Sequence, residues 1–600
     1  MNSGIADAHF RGDTLPRLLQ RNGQNFAAQT AVREKRHGIW QAATWAEHAA
    51  ATLTFARGLA ALGFAKGDRL AILGDNRPAL YRAQLAATCL GGVCVPCWPD
   101  ADTDWLAHVL ADAGVSIVVA EDQDQLEKLL AIKHQVPNLR EIVFTDPRGV
   151  HHENLSFIRS VAAVVQAGEK GTADMATMIA GGMPDDVALL CYVTPATGLP
   201  RAVELTHANL IAAATALTKA EDVRQTDECF SFLPMAWIGD ALYSTALALV
   251  VGFATSCPED PETARRDLRE LGPTILLAPP RIWESLLSEI EIKAAHATPL
   301  KKRVCDRYLP QPYGDVLPMA GAGGVLGEWL VNAPVRDQLG LGRVRWAHTG
   351  GLTLAPHIAA FFMAIGVRLR HGFGPAACAG LATLQTDGPV TLGRACEGVA
   401  LRVSAAGEIE VSGANVAQAG WWGSGQAGQI AADGTLTLAG SLADRGTLAD
   451  GTAFVPHDVE TALGRSRFLA DVVAIGDRRP FVGALVAIDA GAVGDWAQLR
   501  NLSFAGTADL VALAEVKALI RDEIARGNAR LPAALRVRRY ILMDTVPAAF
   551  GSEASLSRVL QRRLALDAHE DTIEALFATA ATAPAETVDA TGSTVREQAA

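Results

Sequence analysis

The sequence predicts an α/β fold in two parts. A large N-terminal domain of parallel, helix-covered sheets ends in a β-rich portion, and a small α+β domain follows. Three observations lead there. Apolar, strand-like runs alternate with helix-like segments through about the first 380 residues. After about residue 390 the texture changes to short alternating runs parted by Gly and Asp-Gly. A chain of 600 residues also exceeds what one hydrophobic core serves.

In chain order, "DRLAILGDN" reads as a strand and turn, and "RPALYRAQLAATCLGG" as a helix closed by Gly91 and Gly92. "VSIVVAED" reads as a buried strand, "QDQLEKLLAIKHQ" as a helix and "REIVFTD" as a strand. The rhythm returns at "TILLAPPRIWESLLSEI" and "VRWAHTGG". This alternation places ligand-binding loops at the C-terminal ends of the strands. "GVALRVSAAGEIEVSGANV" and "GQIAADGTLTLAG" form the β-rich portion. The expected division is 1–443 for the large domain, 444–577 for the small one, and a disordered Ala/Thr-rich tail over 578–600.

The net charge is −12 with no basic block, which argues against nucleic-acid binding through a basic face. The best apolar stretch, "YSTALALVVGFATS", falls short of the ~18 residues of a bilayer span. The N-terminus, "MNSGIADAHFRGD", has no apolar signal core. A cytoplasmic protein is expected, with peripheral contact at the inner membrane left open. Nine cysteines in this setting read as reduced thiols. Cys94 and Cys97 form a C-x-x-C, but no second pair completes a metal site and the motif does not open a helix, so both are expected to be buried and structural.

The stretch "YVTPATGLPRAVELTHANL" reads as strand, Thr- and Gly-rich loop, then the helix "HANLIAAATALTKA", the order in which chains build phosphate cradles. Pro195 stands where a cradle wants a free backbone N–H. His207 begins the helix and needs no catalytic role.

From about Leu15 to Phe577 the segments resemble the AMP-forming acyl-CoA synthetases, the adenylate-forming ligases, and particularly their long-chain fatty acid branch. The landmarks are "GLAALGFAKGDRLAILGDNRPAL", "FLPMAWIGD", "APPRIWE", "HTGG" and "PHDVETALGRSRFLADVVAIGDRRPFVGALVAID", in family order. The resemblance implies the adenylate-forming ligase fold and a two-step reaction. A carboxylate attacks the α-phosphate of Mg·ATP to give acyl-AMP and pyrophosphate, and a thiol, usually coenzyme A, displaces AMP.

It also assigns positions. The phosphate loop falls on Val193 to Ala202: Thr194 and Thr197 keep hydroxyls, Gly198 and Pro200 survive, Pro195 replaces a Gly, and Arg201 replaces a Lys. Gly350 and Gly351 fall on the turn beside adenine. The family's Tyr-Gly-x-Thr-Glu falls on Phe373, Gly374, Pro375, Ala376 and Ala377, which keeps the adenine-stacking aromatic and loses the phosphate Thr and the Mg²⁺ carboxylate. Gln426 replaces the ribose Asp, Ser441 an Arg, and Ala443 a Lys. The catalytic Lys of the C-terminal domain falls on Val559, and after Lys302 the only lysine is Lys517. Met235, Trp237 and Ile238 are candidates for the acyl pocket, or simple core.

One lost preorganised charge typically costs ~10²–10³ in rate. No catalytic residue is left intact by this reading, no metal ligand is identified, and binding of Mg and ATP is expected to be weak or absent. The leading expectation is a pseudoenzyme or strongly impaired ligase that still binds a fatty acyl group, acyl-CoA, coenzyme A or nucleotide. One alternative is an active long-chain fatty acid–CoA ligase that uses Arg201, Arg558 or His371 as substitutes. The other is a non-catalytic partner of an active paralogue.

Overall fold

A computed structural model describes residues 12–150, 155–195, 199–310, 324–351, 354–385, 391–545, 558–577 and 586–587. Two large sheets carry the N-terminal part. The seven-stranded sheet runs Ile158–Ser160, Glu141–Phe144, Ile117–Ala120, Arg69–Leu73, Val93–Cys97, Val187–Val193 and Arg201–Thr206 in spatial order. Its strands are parallel except the last, which returns antiparallel beside Val187–Val193. The second sheet has nine strands. A parallel centre built from Trp346–Thr349, Ile275–Leu277, Glu228–Phe230 and Ala254–Cys257 has antiparallel pairs at both edges.

The expected parallel sheets are present, with antiparallel strands added at their edges. Short connections cause the reversals, because a parallel return needs a crossover of a dozen or more residues. The Ile39–Thr44 strand follows its neighbour after two residues, and Arg201–Thr206 follows after seven.

The Val93–Cys97 strand settles the C-x-x-C. Side chains alternate across a strand, so positions three apart face opposite ways. Cys94 packs into the main core and Cys97 into a second core across the sheet. Burial pushes both thiols up, Cys97 to about 12. The pair cannot converge on a metal or a disulfide.

A four-stranded antiparallel sheet follows, formed by Val399–Val403, Glu408–Gly413, Trp422–Ile430 and Leu436–Ser441. Beyond Asp444 a separate sheet of Leu469–Ile475, Val482–Ile488 and Val537–Met543 packs with helices Pro456–Leu463 and Ala514–Asn528 around its own core. Of the tail expected to be disordered, Glu586–Thr587 instead pair with Arg539 and Tyr540 as an edge strand. The rest of 578–600 lies outside the described residues.

Candidate nucleotide and acyl site

The Val187–Val193 strand is apolar because it lies inside a sheet covered on both faces, and Ala188 to Tyr192 are buried. Thr194 and Pro195 leave it half-buried, while Thr197 and Gly198 lie outside the described residues. Arg201 opens the returning strand, paired with Val193, and its side chain is exposed. The helix begins only at His207, where Thr206 and Asn209 cap it reciprocally. The expected order of loop then helix is therefore corrected. A strand of six residues, roughly 20 Å long, separates the two, so the loop lacks the positive end of a helix dipole. His207 is buried, its Nδ1 accepts the N–H of Leu15 (3.3 Å), and burial pushes its ring down to about 4.

Two further turns leave one sheet edge together. Trp346–Thr349 and Leu369–Phe373 are parallel neighbours, with Thr349 opposite His371. Gly350–Gly351 and Phe373–Gly374 therefore lie side by side, and a Cβ on Gly350 would stand 3.7 Å from the Gly372 carbonyl oxygen. A Cβ on Gly374 would overlap the carbonyl oxygen of Gly380, so only glycine lets the turn fold back. Ala376 and Ala377 are buried in that turn, and the Ala377 carbonyl accepts the N–H of Ala417 (2.8 Å). Asn415 donates to the Cys378 carbonyl (3.0 Å), and Asn209 donates to the carbonyls of Ala414 (2.9 Å) and Val416 (3.1 Å). The 414–417 strap thus ties the His207 helix to the alanine turn. His371 is buried, with its backbone N–H donated to Gln385 Oε1 (3.2 Å), and offers no exposed charge for phosphate.

Phe373 is half-buried and packs against two small cores of the four-stranded sheet, around Val411 and around Ile409. In that sheet Gln426 lies directly opposite Ser441. The Ser441 hydroxyl is occupied locally, accepting the N–H of Ala443 (3.2 Å). The Gln426 side-chain amide has no intramolecular partner among the described residues, so it remains available to a ligand hydroxyl.

Met235 and Ile238 are buried in the main core, and Trp237 is half-buried against it. Ile238 lies against Gly380, which joins the acyl candidates to the alanine turn. Beside them Phe230, Phe232, Leu233, Asp240, Tyr243 and Leu277 line a cavity with room for no more than one water.

Two buried networks near this cavity escaped the sequence reading. Asp240 Oδ1 accepts from Tyr81 (2.7 Å), Ser231 (2.9 Å) and Asn76 (3.2 Å). Burial pushes its carboxyl up to about 6, although these donors oppose the shift. In the second network, His348 Nδ1 bonds the Tyr243 hydroxyl and Nε2 bonds Glu221 (2.8 Å), which also accepts from Arg370 (2.8 Å). Burial alone would raise the Glu221 carboxyl, but His348 and Arg370 hold it below the ordinary range. The members are up to 149 residues apart in the chain, and Tyr243 lies on a π-helical turn over Ala241–Leu247. No local pattern marks them. Together they fix the strand end from which Gly350 departs.

In the C-terminal part Val559 lies in the first turn of the Arg558–Ala568 helix, and its side chain and that of Arg558 lie outside the described residues. Arg562, one turn on, is buried and forms ion pairs with Glu460 (2.7 Å) and Asp444. Burial opposes its charge, and the two carboxylates keep the guanidinium protonated.

These residues fit the two halves of Mg·ATP unequally. An aromatic edge, a glycine turn and a free amide suit a nucleoside. At Ala376 and Ala377, the positions that the resemblance assigns to phosphate and metal, two buried methyl groups offer a hard cation no side-chain oxygen. Among the described residues no three His, Cys, Asp or Glu side chains converge as an alternative metal site.

Residues 19–422 match the AMP-binding enzyme family, and 443–581 match the AMP-binding enzyme C-terminal domain. The chain belongs to the AMP-binding enzyme family. Among its relatives, this chain is 30% identical over 424 residues to a putative fatty-acid–CoA ligase, FadD11, of Mycobacterium tuberculosis, covering 66% of this chain and 74% of that one. It is 24% identical over 571 residues to the long-chain-fatty-acid–CoA ligase FadD15 of the same organism, covering 90% and 93%. In fold it is similar to the anthranilate CoA ligase AuaEII in complex with anthranoyl-AMP (TM-score 0.72, 16% identity, 95% of this chain and 100% of that one). The adenylation domain of a carboxylate reductase from Mycobacterium chelonae is similar to the same degree (TM-score 0.73, 18% identity, 96% and 92%). The adenylate-forming ligase architecture, a large N-terminal and a smaller C-terminal domain, is thereby established.

Proposed function

We propose that this chain is a long-chain fatty acid–CoA ligase homologue in which adenylation is lost or strongly impaired, while nucleoside and acyl binding persist. The observation that carries the reading is the Ala376–Ala377 turn, where the family's phosphate and metal ligands would stand. Both side chains are buried methyls, and the Ala377 carbonyl is already committed to Ala417. Without a metal clamp, charge developing on the transferring phosphate has no preorganised partner there. Phe373, Gly350, Gly351 and Gln426 supply contacts for adenosine, and Trp237, Met235 and Ile238 border the acyl side.

Pyrophosphate release from the purified full chain with Mg·ATP and fatty acids of varied length tests the reading. The expected result is silence from the unaltered protein. Signal from the Ala377→Glu, Val559→Lys double variant would then mark a preserved pocket stripped of chemistry. Acid-dependent release from the unaltered protein, above a heat-killed control, overturns it.

One observation favours a second reading, an active ligase with a substitute charge. Arg201 is exposed at the root of the loop and makes no ion pair among the described residues. In that case release occurs and Arg201→Ala abolishes it.

A further inference from the structure

Helix Thr103–Asp112 packs Leu106, Val109 and Leu110 into the second core, on the face of the seven-stranded sheet away from the main core. Its side chains also hold both arms of the loop between Val193 and Arg201. His108 and Asp112 stand one turn apart and share a flank of the helix. On the outgoing arm, Tyr192 donates its hydroxyl to Asp112 Oδ2 (2.6 Å). Burial, with Asp112 beside it, pushes that phenol up, so it stays protonated and donates. On the returning arm, His108 Nε2 meets the Pro200 carbonyl oxygen (2.9 Å). A carbonyl only accepts, so Nε2 carries the proton and donates.

Arg201 is the next residue, and the pleat decides where it points. Side chains alternate across a strand. Leu190 and Tyr192 face the helix, while Leu189 and Cys191 face the main core. Val193 follows Cys191 on that face, and Arg201 pairs directly opposite Val193. Val203, two residues after Arg201, packs against the main core as well. On the same face Cys191 Sγ reaches the Ala236 carbonyl oxygen (3.7 Å), beside the acyl candidates. The exposed guanidinium of Arg201 thus leaves the sheet on the side of the nucleotide and acyl candidates, with no ion-pair partner among the described residues. The helix that fixes its backbone lies on the other side. We infer that His108 and Asp112 are positioning residues that aim Arg201 at the phosphate of a bound adenine nucleotide, resting on the reading that nucleoside binding persists. Ala376 and Ala377 bring no metal ligand, so holding a phosphate falls to a guanidinium, whose planar fork has to be aimed.

Calorimetric titration of the full chain with adenosine and with AMP, both in EDTA, tests it. AMP is expected to bind about tenfold more tightly than adenosine, or better. His108→Leu should remove about threefold to tenfold of that margin, the worth of one hydrogen bond. His108→Gln, which keeps a donor, should recover part of it, and Tyr192→Phe should act in the same direction as His108→Leu. Adenosine affinity should stay the same throughout, which a mere loss of folding would not allow. In an Arg201→Ala background the margin is already gone, so His108→Leu should cost nothing further. Equal affinity for AMP and adenosine in the unaltered chain, or an unchanged margin in His108→Leu, overturns the inference and leaves nucleoside binding in place. A parallel fall in adenosine affinity, or an additive loss in the double variant, overturns it too, since His108 would then act on something other than Arg201. Failure of the unaltered chain to bind adenosine at all overturns the nucleoside reading and the inference with it.

Discussion

At the scale of single residues, His48 illustrates how burial sets chemistry. It sits on the Trp45–Ala61 helix, is buried, and its Nδ1 has no hydrogen-bond partner among the described residues. Burial, with Arg82 adding a like charge, pushes the ring down to about 3. The folded state therefore holds the neutral ring while the unfolded chain binds a proton below about 6.5. The stability that this neutral ring represents is complete above about 6.5 and is lost as pH falls toward 3. The slope is about 1.4 kcal/mol per pH unit. Asp75 and Asp240, each pushed up to about 6 by burial, act in the opposite sense between roughly pH 4 and 6, while His207 and His357, each pushed down to about 4 by burial, act in the same sense, so the whole-protein profile does not isolate His48. Urea unfolding of the unaltered chain and His48→Gln across pH 4–7 isolates the effect. The difference in unfolding free energy between the two should vary with that slope below about pH 6, and a constant difference would refute the assignment.

At the scale of the element, the turn after Phe373 depends on one absent atom. Gly374 lets the chain fold back onto Gly380, which in turn buries Ala376 and Ala377 and brings Ile238 against the turn. Gly374→Ala forces backbone against backbone and is expected to cost about 1–3 kcal/mol. Gly420→Ala is the control. Its φ is +85° but nothing lies within 4 Å of the added Cβ, so only the left-handed backbone strain of about 1 kcal/mol applies. Denaturant midpoints for the two variants should rank in that order. The same turn shows what local sequence conveys: "HGFGPAACAG" announces a glycine turn with an aromatic, but not that Asn415 and Ala417, some 40 residues on, would occupy its carbonyls.

At the scale of the whole molecule, Arg562 joins helix Arg558–Ala568 to the start of the stretch that matches the C-terminal domain. Its partners are Asp444, at that boundary, and Glu460, on the first helix of the small domain. Removing one member of a buried ion cluster leaves uncompensated charge and costs about 3–5 kcal/mol. Arg562→Met should lower the unfolding transition of the small domain in calorimetry and leave that of the large domain in place. Adding Glu460→Leu should restore part of the loss, because it removes one of the two carboxylates left without their cation, while Asp444 stays uncompensated. A single transition that moves as one would show that the two domains unfold together.

The sequence by itself determined the alternation of strands and helices, the change of texture after the second sheet, the burial of Cys94 and Cys97 and the chemical identity of the positions around the site. These follow from periodicity, turn residues and side-chain chemistry, which are local. Ala377 has no oxygen whatever the fold does. Only the tertiary structure decided that Arg201–Thr206 is a strand rather than part of a loop feeding a helix, since six residues pair or not according to the neighbour they meet. Nor did the sequence mark the sites at Asp240, Tyr243–Glu221–His348–Arg370 and Arg562. Their members are dispersed along the chain, and what joins them is the cost of leaving a buried polar group unpaired, a condition that exists only once the core has closed.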